Sequence, residues 1–250
     1  MSQASLSPWR QGVLREMEID VWVSRNPTLV AVSEPVAPEP PEPAAPPAPA
    51  PAAVPPSDSE EAAGERLLAL NKDILTCTRC SLCESRAQAV CGVGNLDADV
   101  LVIGEAPGAD EDRQGEPFVG PAGQLLNQML RAIGLQREQV FVANTLKCRP
   151  PGDRGPSPSE VEQCLPYLVR QIELIRPKVI LVVGCIAAHN LLKVETKIGQ
   201  LRGTVHQYGE PGIPVVVTYH PAQLLRSPAQ KAKSWADLLL IQDVLNGGNR

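Results

Sequence analysis

Residues 99–118 read DVLVIGEAPGADEDRQGEPF, an uninterrupted apolar run followed by a glycine turn and a carboxylate-rich loop that ends in phenylalanine. Apolar strands without polar alternation are typical of a sheet whose two faces are both covered by helices. In such sheets the functional loops follow the carboxyl ends of the strands. The stretch therefore predicts an α/β fold with a functional loop directly after the strand.

Further along the chain, strands and helices alternate. Apolar runs of the same kind occur at 140–144, 179–184 and 215–219. Helical spacing of apolar residues, and a capping serine or terminal glycine in places, predicts the intervening helices. The predicted helices cover 65–76, 122–133, 159–175, 186–192 and about 229–245. We therefore predict a three-layer α/β/α domain around a central, mostly parallel four-stranded sheet.

Proline marks the domain boundaries. The chain divides into an N-terminal tail (1–30), a Pro/Ala-rich disordered linker (31–64) and one globular domain (65–250). Eleven of the 26 prolines fall between Pro35 and Pro56, in a segment too poor in apolar residues to build a core. Within the tail, residues 9–25 contain two of the three tryptophans. The tail is either weakly ordered or a peptide that docks a protein partner, and the sequence leaves both open.

The net charge neither supports nor excludes DNA binding. The net charge is −5, but residues 1–64 hold three basic and nine acidic side chains while the remainder holds 20 and 19. The globular part is thus near neutral, and a local basic face can still meet phosphates. The chain has no apolar run of 18 residues, and its N-terminus lacks a basic start before an apolar core. We therefore expect a cytoplasmic protein without a membrane span or secretory signal.

The chain contains seven cysteines, which in a cytosolic protein indicate metal ligands or free thiols rather than disulfides. Cys77 and Cys80 form a C-x2-C pair, and Cys148 and Cys164 follow later in the chain. Cys83 makes an equally good pair with Cys80. The spacing alone fits a structural zinc ion and a [4Fe–4S] cluster equally well.

Two loops and one strand end carry the other candidate residues. The acidic run at 110–112, taken alone, is typical of a solvated loop. Phe118 lies in a loop of Gly and Pro, where an aromatic ring is better explained by stacking on a planar base than by core packing. Asn144 ends a strand and either caps the following turn or uses its donor and acceptor to read a pyrimidine. His220 opens the loop HPAQLLR after another strand; His189 and His206 fit packing or surface roles.

In order and spacing, GEAPGADEDRQGEPF at 104–118, KCRPP at 147–151 and HPAQLLR at 220–226 resemble the motifs of type-4 uracil-DNA glycosylases. These enzymes are the iron–sulfur branch of the uracil-DNA glycosylase superfamily. The resemblance covers roughly residues 65–245. It implies a monofunctional enzyme that flips uracil out of single- or double-stranded DNA and hydrolyses the N-glycosidic bond, leaving an abasic site for base excision repair. We expect it to act as a monomer.

The resemblance also implies roles for individual residues. The [4Fe–4S] ligands would be Cys77, Cys80, Cys148 and Cys164, with Leu82 and Arg86 completing the family's C-x-L-x3-R pattern. The base-binding residues would be Gly104, Glu105 and Ala106 in the turn, Phe118 in stacking, Asn144 in reading the pyrimidine, and His220 at uracil O2. Leu224, Leu225 and Arg226 would enter the DNA as wedge and phosphate contact.

Some positions depart from the family. Many uracil glycosylases have an aspartate in the first motif; here the resemblance implies that Glu105, our first choice, or Glu111 organises the water. Gln223 stands where many relatives have an aromatic residue. Cys83, Cys91 and Cys185 have no counterpart, and we interpret Cys185 as a small buried packing residue.

Two alternatives to this function differ in chemistry. A relative that traps uracil-DNA covalently uses a histidine in a loop near KCRPP, and the segment 152–158 contains none. A non-catalytic iron–sulfur DNA-binding module would keep the fold without the reaction. The joint presence of Glu105, Phe118, Asn144 and His220 speaks against that module.

Overall fold

The protein is represented by a computed structural model, which describes residues 58–210 and 212–247. The predicted tail at 1–30 and the linker up to residue 57 lie outside the described residues. Among the described residues, no helix is both long and apolar enough to cross a membrane.

Within residues 58–210 and 212–247, six strands form one sheet, in the order β1-β3-β2-β4-β6-β5. Their bounds are β1 Val93–Gly94, β2 Val100–Gly104, β3 Phe141–Asn144, β4 Val179–Val183, β5 Val205–Tyr208 and β6 Ile213–Thr218. The four central strands are mutually parallel, and the two edge strands are antiparallel to their neighbours. The predicted α/β fold with a mostly parallel centre is confirmed. The edge strands were missed because β1 has two residues and β5 alternates between exposed and half-buried positions instead of forming an apolar run.

The helices follow the strands closely. Their bounds are α1 Asp58–Leu75, α2 Leu82–Ser85, α3 Ala109–Gln114, α4 Pro121–Ala132, α5 Pro158–Ile175, α6 Cys185–Leu192, α7 Ile198–Leu201, α8 Pro221–Arg226 and α9 Lys231–Leu245. The helix α1 begins at Asp58 and so overlaps residues 58–64 of the predicted linker. Pro56 is the last proline of the linker, and the helix-forming composition of the following residues extends the helix back toward it.

Alternate side chains of the central strands pack to opposite faces of the sheet, as the pleat requires. Val100 and Val102 of β2 pack with α4 and α9 on one face. Leu101 and Ile103 pack with α5 and α6 on the other. This arrangement gives the predicted three layers. A third buried cluster lies beside the sheet and contains Cys91, Cys148 and Cys164 together with residues of α1 and α5.

Main-chain hydrogen bonds beyond the sheet fix the loops at its carboxyl edge. The N–H of Thr145 donates to the carbonyl of Gly104 at 2.9 Å, and that of Leu146 to Glu105 at 3.0 Å. On the other side, the N–H of Gly184 donates to Thr218 at 2.9 Å. The ends of neighbouring strands are thereby held to one another, so side chains that leave them have defined relative positions.

A buried ion pair holds the end of β6. Asp237 of α9 is completely buried and accepts hydrogen bonds from Thr218 Oγ1 at 2.7 Å and Arg202 Nη2 at 2.9 Å. The N–H of Gly203 donates to the same carboxylate. Burial raises the pKa of Asp237, and its hydrogen bonds with Thr218 and Arg202 oppose that shift. The network fixes the strand that leads into His220.

Candidate active site

A cleft of about 560 Å³ opens at the carboxyl ends of the central strands. The predicted site residues that line it are Glu105, Ala106, Glu111, Phe118, Asn144, His220 and Arg226. These positions come from loops after β2, β3 and β6. A more open groove of about 780 Å³ lies between α5 and α6 and contains none of the predicted site residues. The cleft is therefore the candidate active site.

Gly104 allows two site residues to converge at the end of β2. A Cβ atom at this position would lie 2.3 Å from Asn144 Oδ1 and 2.7 Å from Phe118 Cζ, closer than van der Waals contact permits. Only glycine leaves room for both side chains. The turn thus brings an amide and an aromatic ring to one place.

Phe118 occupies a backbone conformation that non-glycine residues rarely adopt, with φ of +54°. Such strain persists where the surrounding structure enforces it, and it is common at functional sites. Close packing of Gly123 against the Phe118 carbonyl leaves no space for a side chain there. Arg137 donates to the carbonyl of Pro117, directly before the ring. Sequence reasoning missed Arg137, because nothing in its local pattern indicates this long-range contact.

Glu111 holds the same loop. Its carboxylate accepts main-chain hydrogen bonds from Val119 at 3.0 Å and Gly120 at 3.2 Å, and also from Gly108 at 3.1 Å. These bonds join the start of α3 to the residues that follow Phe118. The carboxylate predicted as a second candidate for organising water therefore serves at least as a structural tie for the stacking ring.

Glu105 differs in its surroundings. Its side chain is half-buried in the cleft, and burial raises the pKa of its carboxyl group. Its main-chain carbonyl accepts from Leu146 at 3.0 Å. Unlike Glu111, this carboxylate has no hydrogen bond with another described residue that would hold it in a structural role. It is the better placed of the two to act on a water molecule.

Asn144 is buried at the end of β3, and its Oδ1 has no hydrogen-bond partner among the described residues. A buried amide oxygen without a partner is costly, so it indicates a group that a ligand satisfies. Asn144 Oδ1 therefore does not make the hydrogen bond by which it would cap the following turn. The side chain is instead available within the cleft.

His220 caps α8 and faces Phe118. Its Nδ1 accepts the N–H of Ala222 at 3.1 Å, which leaves the ring proton on Nε2. Burial, with a smaller contribution from the nearby Arg226 cation, lowers the pKa of His220 to about 4, while Glu111 opposes the shift. The imidazole is therefore neutral at physiological pH and offers an Nε2–H donor to the cleft. Its ring lies 5.7 Å from that of Phe118, centroid to centroid.

The three residues predicted to contact DNA lie on the short helix α8, and their side chains point in different directions. Leu225 is 45% exposed and Arg226 lines the cleft. Leu224 is completely buried in the core against α4. Leu224 thus faces the core and Leu225 faces solvent, because adjacent residues of a helix point in different directions. The entry of Leu224 into DNA stays a prediction.

The cysteines converge beside the sheet. A small cavity is lined by Cys77, Cys80, Cys83, Cys148 and Cys164. Arg86 lies against it and donates to Cys148 Sγ at 2.9 Å and to the carbonyl of Cys77 at 3.0 Å. In the part of the chain that the structure describes, no three Cys, His, Asp or Glu side chains are grouped tightly enough to hold one metal ion. The cavity gathers the predicted ligands without forming a single-ion site.

Cys185 does not have the role we expected. It is half-buried, lines the cleft, and its Sγ lies 3.1 Å from His189 Nε2. The interpretation as a buried packing residue is wrong, because Cys185 begins α6 at the carboxyl edge of β4 instead of continuing the strand.

Comparison with known proteins identifies the family. The family model described as "Uracil DNA glycosylase superfamily" matches residues 91–239. The chain belongs to this superfamily, in its type-4 branch. A type-4 uracil-DNA glycosylase of Archaeoglobus fulgidus is 45% identical over 186 residues, which are 72% of this chain and 94% of that protein.

Two further type-4 uracil-DNA glycosylases show the same level of similarity. The relative from Pyrobaculum aerophilum is 42% identical over 70% of this chain and 92% of its own length. The one from Sulfurisphaera tokodaii is 42% identical over 66% of this chain and 78% of its own. The type-4 resemblance predicted from the motifs is confirmed.

Proposed function

We propose that this type-4 family member excises uracil from DNA by hydrolysing the N-glycosidic bond, leaving an abasic site for base excision repair. The observation that carries the proposal is the convergence of Phe118, Asn144 and His220 on one cleft, with the Asn144 amide oxygen unpaired. Recognition of a planar pyrimidine requires an aromatic ring to stack on it, a group that hydrogen-bonds its edge and a donor at its O2. Phe118, Asn144 and His220 would supply these in turn.

Asn144 would distinguish the base. Its amide donor pairs with uracil O4 and its acceptor with N3–H. Cytosine presents the opposite pattern at these two positions, so a fixed amide rejects it. Phe118 would stack on the face of the flipped base, and the turn of Gly104 and Ala106 would contact its edge through main-chain groups.

His220 would stabilise the leaving group. As the bond between C1′ and N1 breaks, its electron pair stays on uracil, and negative charge develops on O2. The neutral Nε2–H of His220 donates a hydrogen bond to that oxygen in a partly closed cleft, where such a bond contributes a few kcal/mol. A water molecule oriented by Glu105 adds to C1′ and loses a proton, and uracil takes up a proton after release.

The lining of the cleft supports a monofunctional enzyme. No lysine lines the cleft within the described residues, so there is no amine for a Schiff base with the sugar. The side chains of Leu225 and Arg226 project beside the cleft and would contact DNA as wedge and phosphate partner. Base flipping costs a few kcal/mol, which these contacts offset.

We propose that Cys77, Cys80, Cys148 and Cys164 hold a [4Fe–4S] cluster. The donor set fits, because five cysteines line one cavity and a [4Fe–4S] cluster takes four cysteine thiolates. Arg86 would compensate the negative charge of the ligated thiolates. The cluster's contribution would be to tie the segment after α1 to the loop after β3 and to α5. Cys83 lines the same cavity and is the competing ligand.

We propose that residues 65–250, extended to Asp58 by α1, form the glycosylase domain. We also propose that the protein acts on DNA as a monomer in the cytoplasm. Residues 1–30 form a tail that either has no binding role or docks a protein partner. Removal of residues 1–57 should leave excision from short oligonucleotides intact if the tail and linker serve only other functions.

An end-labelled oligonucleotide with one uracil tests the function. Incubation with the protein followed by alkali should cut the strand at uracil, and the matched thymine oligonucleotide should stay intact. A heat-stable protein–DNA adduct would instead indicate covalent trapping. Retarded migration without scission would indicate a DNA-binding module and would overturn the proposed reaction.

A further inference from the structure

Lys147 is a buried cation next to the cleft. It is 1% exposed, and its Nζ donates to the main-chain carbonyl of Asn144 at 2.8 Å and to Gln171 Oε1 at 2.6 Å. No carboxylate among the described residues forms an ion pair with it. Burial of an ammonium group without a carboxylate partner is costly, so the contacts it makes need an explanation.

Its partner Gln171 is fixed in turn. Gln171 is completely buried on α5, and its Nε2 donates to the main-chain carbonyl of Cys91. The ammonium of Lys147 is therefore held from one side by a rigid helix. Its other hydrogen bond is to the main-chain carbonyl of Asn144, the residue whose side-chain Oδ1 is unpaired in the cleft.

The main chain of Lys147 makes a second set of contacts. Its N–H donates to Cys164 Sγ at 3.2 Å, and its carbonyl accepts from Val90 at 2.7 Å. One residue thus contacts a cysteine of the sulfur-lined cavity with its backbone and the end of β3 with its side chain. Both sets of contacts restrict the short segment between Asn144 and Cys148.

The side chain of Asn144 has little else to orient it. Its Oδ1 has no hydrogen bond with a described residue, so the direction of the amide depends on the main chain at the end of β3 and on packing against Gly104 and Phe118. A displacement of about 1 Å in such a group is enough to cost about a hundredfold in rate.

We propose that Lys147 is a positioning residue for base recognition, whose ammonium fixes the Asn144 carbonyl and thereby aims the amide at the flipped uracil. This inference rests on the proposed uracil excision. It assigns to the lysine no contact with DNA or with the reacting atoms.

The test uses three single variants of the full chain, together with Asn144→Ala and its combination with Lys147→Met. Lys147→Met keeps an unbranched side chain, one heavy atom shorter, and removes the donors. Gln171→Leu removes the second acceptor while leaving the lysine. Leu168→Ala, on the same helix and also fully buried, is the control for a general loss of packing. Single-turnover excision, inhibition by free uracil, thermal stability and iron content are measured for each.

We expect Lys147→Met to lower the excision rate about tenfold to a hundredfold and to weaken inhibition by free uracil, with Gln171→Leu intermediate. Leu168→Ala should lower stability but keep the rate and the inhibition. Because the lysine acts through Asn144, adding Lys147→Met to Asn144→Ala should slow excision by less than twofold. If Lys147→Met fails to fold, Gln171→Leu alone decides the comparison.

Three outcomes would overturn the proposal. They are a wild-type rate in a folded Lys147→Met or Gln171→Leu, full additivity with Asn144→Ala, and loss of iron in parallel with loss of activity, which would place the effect at the cysteines. Failure of the wild-type protein to cut uracil-DNA would be a different result, since it refutes the proposed function itself.

Discussion

The rings of Phe118 and His220 lie 5.7 Å apart, with 28° between their planes, although the two residues come from loops at distant positions in the sequence. This is the spacing of a direct aromatic pair, which leaves no slot for a base between the rings. A flipped uracil would therefore meet the free face of Phe118 and the Nε2–H edge of His220. In the proposed function, one ring would fix the plane of the base while the other would donate a hydrogen bond to its O2.

Replacement of His220 tests the role of the donor. His220→Ala removes the Nε2–H at uracil O2, and we expect single-turnover excision to slow about tenfold to a thousandfold. His206→Ala on the edge strand β5 is the matched control, because His206 bonds to the carbonyl of Leu201 outside the cleft. Equal rates for the His220 variant and the wild type would remove the imidazole from the reaction.

The low pKa of His220, about 4, predicts an effect of acid on stability. The unfolded chain binds a proton at this residue near pH 6.5, whereas the folded protein resists protonation until about pH 4, so stability falls as the pH falls between these values. Urea unfolding should show that His220→Gln loses on the order of 1–2 kcal/mol less than the wild type between pH 7.5 and pH 5. Identical losses would mean that the imidazole is not held neutral.

Gly104→Ala tests the crowded turn. The new methyl group must displace Asn144 Oδ1 or the Phe118 ring, so we expect excision to fall about a hundredfold while the protein stays folded. Gly199→Ala in α7 is the control, since no atom lies within 4 Å of its added Cβ. An active Gly104→Ala variant would show that the two side chains can move apart without consequence.

Cysteine variants test the cluster. Protein purified without oxygen should be brown, absorb broadly at about 400 nm and contain about four iron atoms per chain. Cys164→Ser should lose the colour. Cys185→Ser should retain it, because Cys185 lies in the cleft, outside the cavity that Cys164 and four other cysteines line. Cys77→Ser and Cys83→Ser compared side by side decide which one ligates. Colourless wild-type protein with stoichiometric zinc would contradict the assignment.

The buried ion pair at the end of β6 makes a prediction about stability. Arg202→Ala leaves the completely buried Asp237 without its cation, which should cost about 3–5 kcal/mol in the free energy of unfolding. Arg170→Ala breaks an exposed pair with Glu173 and should cost at most about 1 kcal/mol. Chemical denaturation of both variants measures the difference. Similar small losses in both would mean that Asp237 is stabilised by Thr218 and main-chain groups alone.

The sequence predicted the centre of the fold because β2, β3, β4 and β6 are continuous apolar runs. It also predicted which polar residues follow them, and parallel strands necessarily bring those residues to one edge. The two edge strands lack an apolar signal and were missed. Periodicity also could not decide which of Leu224 and Leu225 faces the core, since that depends on how the short helix α8 packs against α4.

Contacts between segments distant in the chain could not be predicted from the sequence. The bonds from the Glu111 carboxylate to Val119 and Gly120, and the buried side chain of Lys147 beneath Asn144, depend on the folded paths of two loops. An acidic run and a lysine in a polar motif resemble solvated residues when only their neighbours in sequence are known. Their roles emerge only from tertiary structure.

The constrained backbone of Phe118 has a practical consequence for attempts to redesign which damaged bases are accepted. Mutagenesis of residues 117–120 or of Gly123 would sacrifice a conformation that depends simultaneously on Glu111, Gly123 and Arg137. Ala122 and Ile186 also border the cleft and take no part in that support. Libraries directed at these two wall positions should alter the shape of the opening while leaving the aromatic platform in place.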